Sequence, residues 1–375
     1  MKLLRPLWTC ATMLLASVTA SMCAGAHANA ADYQIEVITD QLEYPWAMAW
    51  LPDGRLLITE RVGRLRVYEN GALHAQPIAG TPPVHFAGQA GLFDVLPDPD
   101  FARNHRLYLS HAAGTAKSNT LQVSAGRLSG DHIVDVQPLF IARPMRNTSA
   151  HYGGRMSFLD DGTLVVGLGD GFDFREQAQR LDNHFGKIVR IRTDGSIPSD
   201  NPFVDDPRAL PEIYTYGHRN VQGLVFDPAT GRLWSNEHGP RGGDELNLIL
   251  AGQNYGWPIA THGIDYSGAR ISPHTSLPGL IDPIVVWSPS IAPASLAICN
   301  GGLFPEWRGR LMIAALAARR AQLVDLEQTR PIGQMTILDE RGWRLRDIES
   351  GPDGAIWVLT DGAPGRLLRL TPVAR

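Results

Sequence analysis

The sequence predicts an all-β protein, a six-bladed β-propeller of four-stranded antiparallel blades, and three observations support this prediction. Helical periodicity is nearly absent beyond the first thirty residues, where short β-rich runs alternate with Pro, Asp and Gly. A turn that opens a buried strand recurs at intervals of a few tens of residues. An early β-rich segment, 33–38, is available to complete the last blade, which would leave no strand edge open.

The repeat consists of a polar turn followed by an apolar strand. Its copies lie at 52–59, 104–109, 160–167, 227–234, 307–313 and 352–359. Removing the first 30 of the 375 residues leaves 345, so six copies give about 57 residues each, enough for four strands with loops. A β-sandwich is the competing architecture, but six similar units fit it less well. No break in composition divides the chain, so we predict one domain over 31–375.

Residues 1–30 predict a secretory signal peptide. Lys2 and Arg5 supply its positive charge, the stretch 13–16 lies in its apolar segment, and Ala28-Asn29-Ala30 forms an A-x-A cleavage site. Polar residues interrupt the apolar run before it reaches the ~20 residues that span a bilayer, so no membrane span is expected. We therefore expect a periplasmic or secreted protein.

Charge and cysteine content narrow the function classes further. The formal net charge of −4 becomes −6 without Lys2 and Arg5, which argues against nucleic acid or an anionic membrane as a partner. Of the three cysteines, only Cys299 lies outside the first thirty residues. An intramolecular disulfide is therefore excluded after cleavage, and Cys299 is expected to be a small, buried apolar residue.

The most informative polar stretch, 151–155, reads His-Tyr-Gly-Gly-Arg and leads into a predicted hairpin that ends at Asp170. A hairpin brings its two ends together, so His151 and Asp170 can meet although they are far apart in sequence. A histidine oriented by a carboxylate is a frequent general base for a hydroxyl proton. Arg155 would add a fixed cation beside this pair. The alternative is a histidine that caps a turn, with Asp170 serving another turn.

Further polar clusters fall at loops between predicted blades, where propellers hold ligands over the central channel. Arg219, Arg344 and Arg346 offer planar donors that bind carboxylates in pairs, and converging arginines would repel each other unless a polyanion lay among them. The segment 239–245, with Gly239-Pro240 followed by Asp244 and Glu245, offers the oxygen ligands that calcium prefers. The alternative for any single arginine is a solvated surface residue.

These motifs together resemble the soluble pyrroloquinoline quinone (PQQ)-dependent aldose sugar dehydrogenases, six-bladed propellers related to soluble glucose dehydrogenase. The resemblance runs from about residue 44 to 370, and the motifs agree in order and approximate spacing. Those that carry it are His-x-Gly-Gly-Arg at 151–155, Gly-Asp at 169–170, Gly-His-Arg-Asn at 217–220, and His-Gly-Pro-Arg-Gly-Gly-Asp-Glu at 238–245.

The resemblance implies specific roles for these residues. His151 would take the proton of the anomeric hydroxyl while hydride passes to the quinone, and Asp170 would orient it. The residues that would hold PQQ are Gln89, Arg219, Asn220, Arg344 and Arg346. The carbonyls of Gly239 and Pro240 would bind a calcium ion that acts on the cofactor as a Lewis acid. A second, structural calcium would use the acidic part of the same loop and a following tyrosine, here Glu245 and Tyr255, and Asp244 of this loop is a further candidate metal ligand.

One departure from the family concerns the fifth blade. Relatives often carry a cofactor-contacting lysine there, where this chain has Ala317; either Arg319 reaches the site instead, or the affinity for the cofactor is lower. The predicted function is oxidation of aldoses to lactones, with an unidentified external electron acceptor. The alternatives are a non-catalytic carbohydrate- or protein-binding propeller and a calcium-dependent lactonase, which would need no arginine cluster. Trp287 and Tyr266, in or beside long loops, are the aromatic candidates for substrate contact.

Overall fold

A computed structural model describes residues 33–373, whose twenty-four strands form six antiparallel sheets of four strands each. The prediction of a six-bladed propeller is therefore confirmed. The predicted signal peptide, 1–30, lies outside the described residues. Helical structure is limited to four short segments in the described chain, which are α1 (Phe101–Asn104) and 3-10 turns at Arg175–Gln179, Pro305–Trp307 and Asp339–Arg341. Within the described residues no helix has the length and apolar content needed to cross a bilayer.

The first three blades follow one another along the chain. Blade 1 contains β2 (Pro45–Trp50), β3 (Leu56–Glu60), β4 (Arg64–Glu69) and β5 (Ala72–Leu73). Blade 2 contains β6 (Leu92–Pro97), β7 (Arg106–Thr115), β8 (Ser118–Ser129) and β9 (His132–Ile141). Blade 3 contains β10 (Gly153–Phe158), β11 (Leu164–Leu168), β12 (Lys187–Ile191) and β13 (Ile213–Tyr216).

The last three blades complete the ring. Blade 4 contains β14 (Val221–Asp227), β15 (Arg232–Glu237), β16 (Asp244–Ile249) and β17 (Val285–Trp287). Blade 5 contains β18 (Pro293–Ile298), β19 (Leu311–Ala315), β20 (Arg320–Glu327) and β21 (Arg330–Ile337). Blade 6 contains β22 (Leu345–Ser350), β23 (Ile356–Thr360), β24 (Gly365–Pro372) and β1 (Tyr33–Leu42). The early segment thus closes the last blade, as predicted, by pairing antiparallel with β24.

The sequence repeat corresponds to the turn between the first and second strands of each blade. Gly54 and Gly162 adopt φ angles of 90° and 76° in these turns, a left-handed conformation that favours glycine. Asp161 accepts a hydrogen bond from the Thr163 amide at 2.9 Å and fixes the turn. The strands that follow, β3 and β11, are buried along their whole length. Burial on both faces explains why these strands are continuously apolar rather than alternating.

Most large aromatic side chains pack between the blades. Trp234, Trp307 and Trp357 are buried in the interblade core, and so is Cys299, as expected. Trp287 is also buried, in the last strand of blade 4, and its Nε1 donates to Gln334 Oε1 at 3.0 Å. The hypothesis that Trp287 contacts substrate is therefore wrong, because this residue belongs to a strand and its ring is enclosed by blade 5.

The first strands of neighbouring blades contact one another around a central channel. Arg155, on the first strand of blade 3, is buried inside this channel and forms ion pairs with Asp94 at 3.5 Å and Asp347 at 3.2 Å. Its guanidinium also lies 4.4 Å from the Trp46 ring and donates to the carbonyls of Gln222 and Ala294. These five partners come from the first strands of the five other blades. Arg155 is therefore a structural hub inside the channel, and not the cation beside His151 that the sequence suggested.

Candidate active site

Polar side chains gather at one end of the channel, where the first strand of each blade begins and the second strand ends. Neighbouring antiparallel strands place these two positions at the same edge of a sheet. Residues just before a first strand include Gln89, His151, Arg219, Asn220 and Arg344. Residues just after a second strand include Arg61, Asp170, His238 and Asp361. The fold therefore brings these residues to a common face, although they belong to different blades.

The hairpin of blade 3 brings His151 and Asp170 into contact. Gly153 pairs with Leu168 across the hairpin, and His151 Nδ1 lies 2.7 Å from Asp170 Oδ1. A carboxylate only accepts hydrogen bonds, so this contact places the proton on Nδ1 and the lone pair on Nε2. Asp170 Oδ2 accepts a hydrogen bond from Trp257 Nε1 at 2.8 Å, which fixes the carboxylate in turn.

The backbone of His151 is held as firmly as its ring. The residue has φ of 50°, a left-handed conformation that is uncommon outside glycine. Its amide donates to Gln89 Oε1 at 2.8 Å, and its carbonyl accepts from Arg146 Nη1 at 2.9 Å. A Cβ on Gly169 would lie 2.1 Å from the His151 carbonyl oxygen, so only glycine fits there. Among the described residues, Nε2 of His151 has no hydrogen-bond partner, whereas every other polar group of this residue is used.

Electrostatics keep His151 neutral and Asp170 ionised. Burial lowers the pKa of His151, and the hydrogen bond and charge of Asp170 oppose this only in part. Burial alone would raise the pKa of Asp170, but the hydrogen bond and charge of His151, together with Arg219, lower it on balance. A neutral imidazole beside an ionised carboxylate is the protonation state that a general base needs.

A cavity of 240 Å³ lies over the channel, and we refer to it as the channel cavity. Its polar lining includes Gln89, His238, Arg344, Arg346 and Asp361. Arg344 Nε and Arg346 Nη2 donate to opposite oxygens of Asp361 at 3.1 and 3.0 Å, so the two arginines share one side of β22 as predicted for an extended segment. The carboxylate between them was not predicted, and it reduces their mutual repulsion.

Arg61 is a third arginine of the channel cavity, and it was not predicted. Its pKa is lowered, first because it is buried and second because Arg346 is close. Its Nη2 donates to the carbonyls of Gly88 and Ala90, while its buried Nε has no partner among the described residues. Three guanidinium groups against the single carboxylate of Asp361 leave a net positive cavity, which suits a ligand with several carboxylates.

Arg219 and Asn220 do not line the channel cavity, although Asn220 contacts His238 and Gln222, which do. Arg219 lines a second cavity of 300 Å³, the outer cavity, together with Asp170. Its amide donates to Glu237 Oε2 at 2.5 Å, and Glu237 is held by His218 Nδ1 at 2.9 Å. Asn220 is buried, and its Oδ1 accepts from the Gly153 amide at 3.3 Å, so it contacts the hairpin of blade 3.

Both cavities are lined by neighbours of His151, although His151 itself lines neither of them. Tyr152 and Gly153, the residues that follow it, line the channel cavity. Asp170 and Phe172, which both contact the histidine ring, line the outer cavity. The ring itself is buried. His151 is therefore adjacent, through these neighbours, to both the cationic cavity and the outer cavity.

The predicted calcium ligands are divided between several places. Gly239, Glu245 and Tyr255 share a small cavity of 10 Å³, whereas Pro240 lines the outer cavity. Asp244 accepts three hydrogen bonds, from the Gly239 and Ala292 amides at 2.8 and 2.7 Å and from a serine hydroxyl, so both of its oxygens are engaged. The Tyr255 hydroxyl is engaged as well, since it donates to the Leu248 carbonyl at 2.7 Å.

Two observations test whether cations fit these places. Glu245 and Glu237 approach each other closely, and burial, followed by the charge of Glu237, raises the pKa of Glu245 to about 8. Both carboxylates line the small cavity, whose volume matches the ~10–15 Å³ needed for one water-sized particle, so a cation fits there. By contrast, the Gly239 carbonyl accepts Arg219 Nη1 at 2.6 Å, so a calcium ion on this oxygen would require the guanidinium to move away. Between residues 33 and 373, no three His, Cys, Asp or Glu side chains converge as a metal site.

The fifth blade supplies no cation to the channel cavity. Leu316 lines the cavity, but Ala317 does not, and its amide donates to the Ile291 carbonyl at 2.9 Å. Arg319 is exposed and its Nη1 lies 3.4 Å from the Gly342 carbonyl, directed along the surface. Arg319 therefore does not take the place of the lysine expected from the resemblance, and Arg61 is the additional cation that lines the cavity.

The residues that sequence reasoning missed share one signal. Arg61 and Asp361 each directly follow the second strand of a blade, as Asp170 nearly does in blade 3 and His238 does in blade 4. Aligning the six repeats by the end of this strand would have selected both residues. Glu237 is the last residue of the second strand in blade 4, and its carboxylate accepts a hydrogen bond from the Arg219 amide. The same alignment of strand ends would have drawn attention to it.

A buried histidine–carboxylate pair beside a cavity rich in arginines defines the class: an enzyme built on a six-bladed propeller, with room for an anionic cofactor or substrate. The fold alone would not say which enzyme, because propellers support many functions. Residues 42–369 match the family described as Glucose / Sorbosone dehydrogenase, and the chain belongs to this family. The predicted resemblance and the prediction that the chain is an enzyme are thereby confirmed.

Individual relatives agree with this assignment. The chain is 41% identical to aldose sugar dehydrogenase YliI of Escherichia coli, over 91% of this chain and 94% of the relative. The crystal structure of the soluble aldose sugar dehydrogenase from Escherichia coli in the apo-form superposes with a TM-score of 0.88 at 40% identity, covering 91% of this chain and 100% of that chain. The PQQ-bound form of aldose sugar dehydrogenase from Streptomyces coelicolor gives a TM-score of 0.74 at 28% identity, covering 91% and 99%.

Proposed function

We propose that this chain is an exported, PQQ- and calcium-dependent dehydrogenase that oxidises the anomeric carbon of aldose sugars to lactones, with His151 as the general base. The observation that carries the proposal is the neutral His151, whose Nε2 has no partner among the described residues, next to a cavity lined by three arginines. The names of the Escherichia coli and Streptomyces coelicolor relatives support the sugar and the quinone, respectively.

His151 and Asp170 would remove the proton of the anomeric hydroxyl. His151 Nε2 accepts the proton of the anomeric hydroxyl as the bond between this oxygen and the anomeric carbon becomes a carbonyl. Asp170, 2.7 Å from Nδ1, stabilises the imidazolium that forms and keeps the ring oriented. PQQ, when bound, supplies the two-electron acceptor for the hydride that leaves the anomeric carbon.

The channel cavity fits the cofactor by its charge. PQQ carries three carboxylates, and Arg61, Arg344 and Arg346 offer three guanidinium groups to bind them. Gln89 lines the same cavity and also fixes the His151 amide, so it would join the cofactor site to the base. Arg219 and Asn220 would contribute from the His151 side, where both residues lie close to the blade 3 hairpin.

The small cavity lined by Glu237 and Glu245 supports a calcium site better than the Gly239 carbonyl does, because that carbonyl already accepts a hydrogen bond from Arg219. A divalent cation there would compensate two carboxylates that otherwise repel each other, and it would brace the loop 238–245 that carries Gly239 and Pro240. The proton chemistry described above depends only on His151 and Asp170.

The proposal is tested directly by reconstitution. Purified protein is mixed with PQQ, with and without calcium, and dye reduction is measured with glucose and other aldoses. Turnover that requires PQQ supports the proposal, and a further gain with calcium supports the cation site. Bound quinone without reduction by any sugar would rule out the activity. Export is tested separately by sequencing the amino terminus of protein recovered outside the cytoplasm, which we expect to begin at Ala31.

The pH dependence of the reaction follows from the lowered pKa of His151. The neutral ring is the active form. Burial disfavours a second proton most strongly, the charges of Arg219 and Arg146 act in the same direction, and the hydrogen bond and charge of Asp170 oppose them. We therefore expect kcat/KM to stay high as pH falls through 6.5, the ordinary value for histidine, and to decline only below it. A profile of kcat/KM against pH with its acid midpoint above 6.5 would contradict this expectation.

A further inference from the structure

Arg146 is a buried cation that contacts the backbone of His151 and forms no ion pair with any described residue. It is 6% exposed, and its Nε has no hydrogen-bond partner within residues 33–373. Burial lowers the pKa of Arg146 to about 10, so the guanidinium is still protonated at neutral pH. A buried charge without a carboxylate partner is costly. We therefore looked for a role of this charge beyond packing.

Contacts with blade 2 and with Tyr152 fix the position of Arg146. Its amide donates to the Asn119 carbonyl at 2.9 Å, and its carbonyl accepts from the Asn119 amide at 2.8 Å. Its guanidinium lies 3.8 Å from the centroid of the Tyr152 ring, and the Tyr152 hydroxyl donates to Asn119 Oδ1 at 2.5 Å. A Cβ on Gly171 would lie 2.9 Å from Arg146 Nη1, so this glycine leaves the room that the guanidinium occupies. The side chain therefore has little freedom to move away from His151.

Arg146 acts on the backbone that carries the base. Its Nη1 donates to the His151 carbonyl at 2.9 Å, and the Gly171 amide donates to the same oxygen at 3.3 Å. His151 has φ of 50°, a conformation that costs energy in a residue other than glycine, so it persists only where surrounding contacts hold it. Gly171 directly follows Asp170, so this carbonyl oxygen joins the histidine to the carboxylate that orients it. Arg146 therefore stabilises both members of the pair.

Four charged or titratable groups act on the His151 ring. Asp170 favours a second proton on the ring, whereas Arg219 and Arg146 disfavour it. The fourth group, His238, is neutral, because burial lowers its pKa to about 3. Of the two arginines, Arg219 lines the outer cavity, whereas Arg146 lines neither this cavity nor the channel cavity. Arg146 is therefore the cation that acts on the base from outside both cavities.

We propose that Arg146 is a positioning residue for the base: its guanidinium holds the His151 backbone in the left-handed conformation, and its positive charge opposes a second proton on the ring. The proposal rests on the proposed function, because it concerns the residue assigned there as the general base. Arg146 itself contacts neither sugar nor cofactor in this assignment, and its effect on the reaction passes through His151.

Three replacements, measured on the PQQ-reconstituted protein, separate the contact from the charge. Arg146→Lys keeps the charge, Arg146→Gln keeps a donor for the His151 carbonyl without the charge, and Arg146→Met removes both. The acid midpoint of kcat/KM should move to higher pH in Arg146→Gln and Arg146→Met, and it should stay close to that of the parent in Arg146→Lys. On the alkaline side of this midpoint, Arg146→Met should also lower kcat by about 10- to 100-fold, because misplacing a catalytic group by ~1 Å costs up to about 100-fold.

The His151 ring is also titrated directly, without cofactor or sugar. Nuclear magnetic resonance of protein labelled with nitrogen-15 in its histidines reports each ring, and His151→Ala identifies the signal that belongs to His151. We expect the midpoint of this signal to rise in Arg146→Gln and to return to the parent value in Arg146→Lys. The matched control is Arg127→Met, which removes a half-exposed arginine of blade 2 that pairs with Asp135, and it should leave both midpoints unchanged.

The direct titration distinguishes failure of this proposal from failure of the proposed function. A higher His151 midpoint in Arg146→Gln, restored in Arg146→Lys, supports the role of Arg146 even if no sugar is oxidised. A His151 midpoint equal to that of the parent in Arg146→Gln would overturn the proposal while leaving the proposed function intact. Loss of activity together with loss of PQQ affinity, with the His151 titration unchanged, would likewise overturn it and make Arg146 a purely structural residue. If Arg146→Met does not fold, the comparison of Arg146→Gln with Arg146→Lys decides.

Discussion

Replacement of His151 by alanine is expected to lower kcat for aldose oxidation by about 10²–10⁴-fold, the usual contribution of a general base. The size of the effect follows from the geometry. Nε2 of His151 is the basic nitrogen left over once Asp170 binds Nδ1, and the described neighbours offer no second base held in the same way. His238 is partly buried and lines the channel cavity, and desolvation lowers its pKa to about 3, so it is neutral; unlike His151, it has no carboxylate partner among the described residues.

The measurement must separate chemistry from cofactor binding. PQQ binding to His151→Ala should be followed by absorbance titration, and we expect it to stay close to that of the parent protein, because the arginines lie on other blades. The matched control is His132→Ala, an exposed histidine on the outermost strand of blade 2, which should keep full activity. A His151→Ala protein that binds PQQ and retains more than about a tenth of the parent kcat would exclude the role of general base.

The second large effect is expected from Arg346→Ala, which should raise the Kd for PQQ. Arg346 is 7% exposed, so its charge is largely removed from water and a bound carboxylate would be strongly attracted to it. A hydrogen bond to a charged group contributes about 1.5–3 kcal/mol, which corresponds to a Kd raised roughly 10- to 150-fold. Arg61→Ala should change Kd in the same direction, because this cation also lines the channel cavity.

Titration of PQQ absorbance or fluorescence reports Kd without any turnover. Arg208→Ala serves as the control, because this arginine pairs with Asp206 on the surface and its side chain is 87% exposed. Unchanged affinity in both Arg346→Ala and Arg61→Ala would mean that the channel cavity is not the cofactor site. Reduced affinity in Arg346→Ala alone would limit the carboxylate contacts to blade 6 and leave Arg61 as a structural residue.

The propeller fold could be predicted because each copy of its repeat is a short, continuous stretch of the sequence. Each copy contains a turn with fixed chemistry and a strand buried on both faces, so a few consecutive residues such as 160–167 carry the whole signal. The meeting of His151 and Asp170 was predictable for the same reason, since one hairpin joins them. The side of β22 shared by Arg344 and Arg346 follows from strand geometry alone.

The remaining features depend on which loops meet across the ring, and sequence spacing does not contain that information. Arg61 and Asp361 come from blades 1 and 6, which are adjacent only because the ring closes. Arg219 was expected beside Arg344 and Arg346, but the Glu237 carboxylate and the Gly239 carbonyl hold it at the outer cavity. Trp287 was misjudged because a three-residue strand after a long loop leaves little pattern to recognise.

The hub formed by Arg155 has a consequence for how the ring comes apart. Its ion-pair partners, Asp94 and Asp347, lie in blades 2 and 6, so an incomplete ring would leave a buried charge without compensation, at a cost of about 3–5 kcal/mol. Forms that lose blade 2 or blade 6 while Arg155 stays buried are therefore penalised. Blades that would otherwise unfold one after another are thereby coupled, and we expect a single cooperative transition in calorimetry. Two or more resolved transitions would show that the blades come apart independently of this one side chain.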